Sequence, residues 1–72
     1  MTRYIATFHT HLAALRSSRS LTSAGIAAQM TPVPRKLSSS CGTCVRYDSA
    51  TPALELLDAD AEAVYEDAEG KY

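Results

Sequence analysis

The chain has 72 residues and a formal net charge of −1, enough for one domain with a thin core, because so short a chain buries only about 60% of the surface its unfolded form exposes. A deep, enclosed substrate pocket is not expected at this size, and the near-neutral charge argues against a surface that tracks nucleic acid. No apolar run approaches the roughly 18 residues needed to span a membrane.

The N-terminus lacks a signal peptide's apolar stretch and cleavage site, so the expected location is cytoplasmic, with neither nucleic acid nor membrane as a partner. In that compartment thiols stay reduced unless they are transient or catalytic. Cys41 and Cys44 therefore read as reactive or metal-binding and not as a structural staple.

Arg3 to Phe8 is rich in aromatic and β-branched residues, and its alternation sets Tyr4, Ala6 and Phe8 on one face and Ile5 and Thr7 on the other. That pattern predicts a central strand, apolar on both sides. A helix follows, with Thr10 as its cap and Leu12, Leu15, Ser18 or Arg19, and Leu21 or Thr22 at spacings of three and four. Ala24-Gly25 stops it. The small residues Ala14, Ser17 and Ser18 let that helix lie close to a sheet. Ile26 to Val33 predicts a second strand, placed at an edge because Pro32 and Pro34 cannot donate ladder hydrogen bonds.

Arg35 to Gly42 is a polar connection with three consecutive serines, and Thr43 to Asp48 predicts a third strand. In that strand Cys44 and Arg46 share one face and Val45 and Tyr47 the other. Thr51-Pro52 reads as a cap followed by proline at the first helical position. Leu54, Leu57 and Ala61 would form the buried stripe of a second, short helix. Ala63 to Glu66 is a weak last strand, and 67–72 is expected to fray. The chain thus reads as a single α+β domain over 1–72. Its order is the ferredoxin-like βαββαβ two-layer sandwich, a small antiparallel or mixed sheet with two helices on one face.

In such a fold the first two strands are parallel, joined by a right-handed helical crossover. The end of strand one, the start of helix one, the end of strand two and the start of strand three then share one edge. That edge would gather His9, Thr10 and His11 with the 34–44 segment. Cys41 would sit near the helix N-terminus, whose partial positive charge, with Arg35 and Lys36, favours thiolate. The backbone N–H groups from Ser38 through Ser39 and Ser40 to Gly42 can hold an anion. Gly42 leaves the thiol unobstructed.

One Cys-x-x-Cys admits several chemistries. Cys44 falls within a strand, where a small apolar residue is ordinary core material, and a strand follows the pair where thioredoxin-like enzymes have a helix. Cys41 and Cys44 with His9 and His11 also make a nominal two-Cys, two-His zinc set. Their spacing is not that of a finger, and residues two apart on a helix do not share a face. Surface or capping roles suit the histidines better. The acidic stretch with Glu55, Asp58, Asp60, Glu62 and Glu66 reads as solvated faces, without the paired spacing of catalytic carboxylates.

Tyr4 to Phe8, Ala24-Gly25-Ile26 and, above all, Pro32-Val33-Pro34-Arg35-Lys36-Leu37-Ser38-Ser39-Ser40-Cys41-Gly42 closely resemble the DUF3343 family, small bacterial proteins similar to selenium and sulfur carriers. The resemblance spans nearly the whole chain and is most specific at 32–48. It implies a compact α/β domain whose functional cysteine corresponds to Cys41, working alongside cysteine-desulfurase-like proteins.

The leading expectation is a carrier, not a stand-alone catalyst. Cys41 takes a sulfane sulfur or selenium atom from a donor protein and passes it to an acceptor. Arg35, Lys36 and the loop amides steady the anionic terminal atom, and Cys44 resolves the adduct as a disulfide. No cofactor is expected. The competing readings are a metal-binding or thiol-redox module using both cysteines, and a protein-interaction domain, including a homodimer through a sheet face or edge.

Overall fold

The computed structural model describes residues 2–33 and 42–66. Within them, four strands form one sheet, β1 (Thr2–Phe8), β2 (Ala28–Pro32), β3 (Thr43–Ser49) and β4 (Ala61–Glu66), and one helix, α1 (His11–Ser23), lies between β1 and β2. The strand order is β2-β3-β1-β4, and every neighbouring pair is antiparallel. β1 therefore lies in the interior of the sheet and β2 at an edge, as the alternation of β1 and the prolines after Thr31 predict.

The period-two pattern settles which residues face α1. Tyr4, Ala6 and Phe8 of β1 join Val45 and Tyr47 of β3, with Ala28, Met30 and Val64 packed alongside, in one apolar cluster against Ala13, Ala14 and Leu21 of the helix. Phe8, Ala14, Leu21 and Val45 are fully buried. The opposite face carries a row across all four strands, Thr31–Cys44–Thr7–Ala63, and beside it Gln29–Arg46–Ile5–Tyr65. Ile5, Thr7 and Cys44 are buried there.

α1 begins where the sequence places it. The Thr10 side chain accepts from the Ala13 N–H at 3.1 Å, satisfying one of the free donors of the first turn. Gly25, at φ +84°, ends the helix. Its N–H donates to Thr22 O, and Ile26 N–H reaches back to Leu21 O at 2.9 Å. This paired closure needs a left-handed residue, and Ile26 packs beside the core that Leu21 enters. The buried stripe differs from the one expected. Ala13, Ala14, Ser17 and Leu21 face the sheet, whereas Leu12 is 53% exposed. Close approach of helix to sheet selects the small side chains for the inner face and rotates Leu12 outward.

The second helix is absent. The ferredoxin-like sandwich is thus met only in part, as an antiparallel four-stranded sheet with a single α-helix among the described residues. In place of the second helix is one 3-10 turn, Leu54–Leu56, for three local reasons. Ala53 enters it in a left-handed conformation at φ 53°, out of line with a helical run. Thr51 Oγ1 accepts from Ala53 N–H at 3.3 Å, making a tight side-chain turn instead of an α-helical cap. Asp58 N–H is captured by Ser17 Oγ at 2.8 Å, and Asp58 Oδ1 accepts from Asp60 N–H at 3.0 Å, so the chain turns into β4. Ala61, expected on the helix, instead opens β4 opposite Phe8, with a shift of register between Thr7 and Phe8.

Tyr47 is buried and donates its hydroxyl to Pro52 O. Its ring stacks on Tyr4 with centroids 5.5 Å apart. Burial, then the neighbouring Tyr4 and Glu55, push its pKa up to about 12. The folded state thus keeps a proton that the unfolded chain gives up near pH 10. Stability falls as pH rises from about 10 toward 12, since the native state binds more protons there. Denaturant midpoints are expected to drop across that window in the wild type, and the drop is expected to be smaller in Tyr47→Phe. Equal drops in both would contradict this account.

Candidate functional site

Antiparallel pairing of β1 with β3 sets Thr7 opposite Cys44. Pairing of β2 with β3 sets Pro32 opposite Thr43. The end of β1, the entry to α1, the end of β2 and the start of β3 consequently share one edge of the sheet. The start of β4 joins them, since Ala61 lies opposite Phe8 and His9 N–H donates to Asp60 O at 3.1 Å. This last arrival is not read from the sequence, where 54–61 looks helical. The Asp58-Ala59-Asp60 turn is the signal that would have revealed it.

The segment 34–41 connects in sequence the end of β2 to the start of β3, both at this edge. Its two flanks are tied by a hydrogen bond from Val33 N–H to Gly42 O at 3.1 Å. Gly42 has φ +73° and nothing within 4 Å of where a Cβ would stand. Glycine is required there by the backbone conformation and not by crowding. Cys41, Arg35, Lys36, Ser39 and Ser40, the residues singled out for chemistry, lie outside the described residues, as does Ser38.

At the same edge α1 presents its N-terminus. No acidic residue occupies its first turn, so no carboxylate on the helix offsets the positive end of the helix dipole. His9 is exposed, with Nδ1 4.0 Å from Glu62 Oε2, and His11 opens the helix, also exposed. The edge is thus electrically mixed, with a helix N-terminus and two exposed imidazoles, one of them facing the Glu62 carboxylate at the start of β4.

Cys44 is of a different kind. Its thiol is free and fully buried on the sheet face away from α1. Sγ lies 3.2 Å from Thr31 Oγ1 and 3.7 Å from Pro32 O, to which it donates. Among the described residues no three histidine, cysteine or carboxylate side chains converge in a way that would hold a metal ion, so His9, His11 and Cys44 are not gathered into a common site. Nor is any helix among them long and apolar enough to cross a membrane.

No curated protein and no solved structure is significantly similar to the chain. A family model does match, and it runs from residue 3 to residue 66, through β1, α1, the whole 34–41 segment and β4. By that match the chain belongs to the family described as "Putative Se/S carrier protein-like".

Proposed function

We propose that the protein carries sulfur or selenium in the cytoplasm, with Cys41 as the loading thiol. The Cys41 thiolate attacks the terminal sulfur of a donor cysteine persulfide. The new S–S bond forms on Cys41 as the donor's S–S bond breaks, and the donor leaves as thiolate. An acceptor thiolate then takes the terminal atom by the same exchange and returns Cys41 to thiolate. With selenium as cargo the transferred atom is the selenium of a selenosulfide, and the balance is unchanged.

The observation that carries this reading is the tied pair Val33–Gly42, which hangs the Cys41-bearing segment from the sheet edge where α1 presents its N-terminus. A positive helix end favours the thiolate over the thiol. Arg35, Lys36 and the amides of Ser39, Ser40 and Gly42 supply further donors for an anionic terminal atom. Membership of a family named for Se/S carriage supports the same reading. A carrier needs an accessible thiol and a docking face, both within reach of a 72-residue chain.

Cys44 enters this scheme as a buried neighbour. Its thiol is fully buried and hydrogen-bonded to β2, so direct handover from Cys41 to an acceptor thiol is taken as the main route.

Incubation with a cysteine desulfurase and cysteine, followed by intact-mass measurement, tests the proposal. One added sulfur is expected on the wild type and on Cys44→Ala, and none on Cys41→Ser. No gain on the wild type, or an equal gain on Cys41→Ser, would overturn it.

A further inference from the structure

Among the described residues, β4 is the outermost strand on its side of the sheet and pairs only with β1. An open strand edge is a template for another strand unless its composition forbids pairing. Alongside it the 3-10 turn holds Leu54 62% exposed. Leu54, Leu57, Ala61 and Val64 line an open, largely apolar groove of about 400 Å³, with Asp58 and Glu62 on its rim. A lone exposed leucine needs no explanation; an apolar groove running beside an open strand edge does.

Charge decides the occupant. Between residues 53 and 66 the chain carries Glu55, Asp58, Asp60, Glu62 and Glu66 and neither lysine nor arginine. Arg16 reaches Asp58 at 3.9 Å and His9 reaches Glu62 at 4.0 Å. A second copy fits this edge badly. The antiparallel β4–β4 register that keeps the sheet faces continuous over the regular part of the strand, 62–66, sets Glu62 against Glu66. Like charges directly opposite one another destabilise a strand pair.

The geometry points to a docking surface for a cationic extended segment of another protein. We propose that such a segment adds as a fifth strand beside β4. It sets an apolar side chain opposite Val64, on the groove face beside Leu54 and Leu57, and lysine or arginine two positions to either side, opposite Glu62 and Glu66 on that same face. Main-chain pairing supplies the affinity, and the acidic rim together with the groove supplies the selection. This surface does not depend on the carrier reading, since it uses neither cysteine.

The test titrates the ¹⁵N-labelled chain with three synthetic heptapeptides, Thr-Lys-Thr-Val-Thr-Lys-Thr, Thr-Glu-Thr-Val-Thr-Glu-Thr and Thr-Lys-Thr-Ser-Thr-Lys-Thr (the valine–lysine, valine–glutamate and serine–lysine peptides). Amide shifts confined to residues 54–58 and 61–66 are expected. The valine–lysine peptide should bind at least tenfold more tightly than either of the others. Leu54→Ser should weaken it, and a Glu62→Lys/Glu66→Lys double variant should prefer the valine–glutamate peptide. Circular dichroism of each variant guards against misfolding. Equal binding of all three peptides, shifts centred on β2, or a concentration-dependent dimer that perturbs β4 would each overturn the proposal.

Discussion

In Cys41→Ser, the one remaining thiol is expected to react with iodoacetamide at least about 100-fold more slowly in native buffer than in denaturant. Cys44 has no exposed surface, and its Sγ is held between Thr31 Oγ1 and Pro32 O. Alkylation must therefore wait for an opening that frees the thiol from these partners. Each tenfold of protection corresponds to about 1.4 kcal/mol of opening free energy, so 100-fold asks for about 3 kcal/mol, which local separation of an edge strand can require. The complementary variant, Cys44→Ala, leaves Cys41 alone and should label quickly in native buffer. Time-resolved mass measurement distinguishes the two. Native labelling of Cys44 at its denatured rate would show that the β2 edge is not closed over it, and would restore Cys44 as a ready resolving thiol.

Phe8→Ala should cost about 3–5 kcal/mol, the usual toll for emptying a buried aromatic site. Phe8 is fully buried and belongs to the apolar core cluster of the described residues. Small domains carry about 0.05–0.15 kcal/mol of stability per residue, so a chain of this length holds about 4–11 kcal/mol in all. The substitution removes a large share of that reserve. With a urea slope near 1 kcal/mol per molar, the midpoint should fall by about 3 M, or the folded baseline should vanish. Leu54→Ala, on the exposed turn, should move the midpoint by less than about 0.5 M. Urea melts followed by far-ultraviolet circular dichroism measure both. A Phe8→Ala midpoint within 0.5 M of wild type would mean that the cluster around Phe8 is not the core.

Which parts of this architecture the sequence discloses follows from how local their causes are. The period-two pattern of Tyr4 to Phe8 is enough to assign both faces of β1, because strand alternation is local geometry. Thr10 and Gly25 mark the ends of α1 by capping chemistry that acts within a few residues. The shared sheet edge also follows from chain order and crossover handedness, and the register reports it.

The failures have non-local causes. Leu54, Leu57 and Ala61 have helical spacing, but Ser17, 41 positions away in sequence, takes the Asp58 N–H, and pairing with Phe8 draws Ala61 into β4. Leu12 looks like core by spacing and is turned out because Ala13 and Ala14 allow a closer approach of helix to sheet. Of the candidate site, the positions of Gly42, Cys44, His9 and His11 are now fixed. Cys44 separates from the edge residues by facing the underside of the sheet, in a row with buried Thr7 and half-buried Thr31.

The Val33–Gly42 hydrogen bond has an evolutionary corollary. It ties Val33 to Gly42, the two flanks of residues 34–41, so the described framework is joined across the ends of that segment. Doubling the length of a loop whose ends are already held costs only about 0.6 kcal/mol in closure entropy. On the carrier proposal, the segment between those flanks is an exchangeable cartridge: its length and sequence are expected to diverge for different cargoes and acceptors at little cost to the sheet and α1.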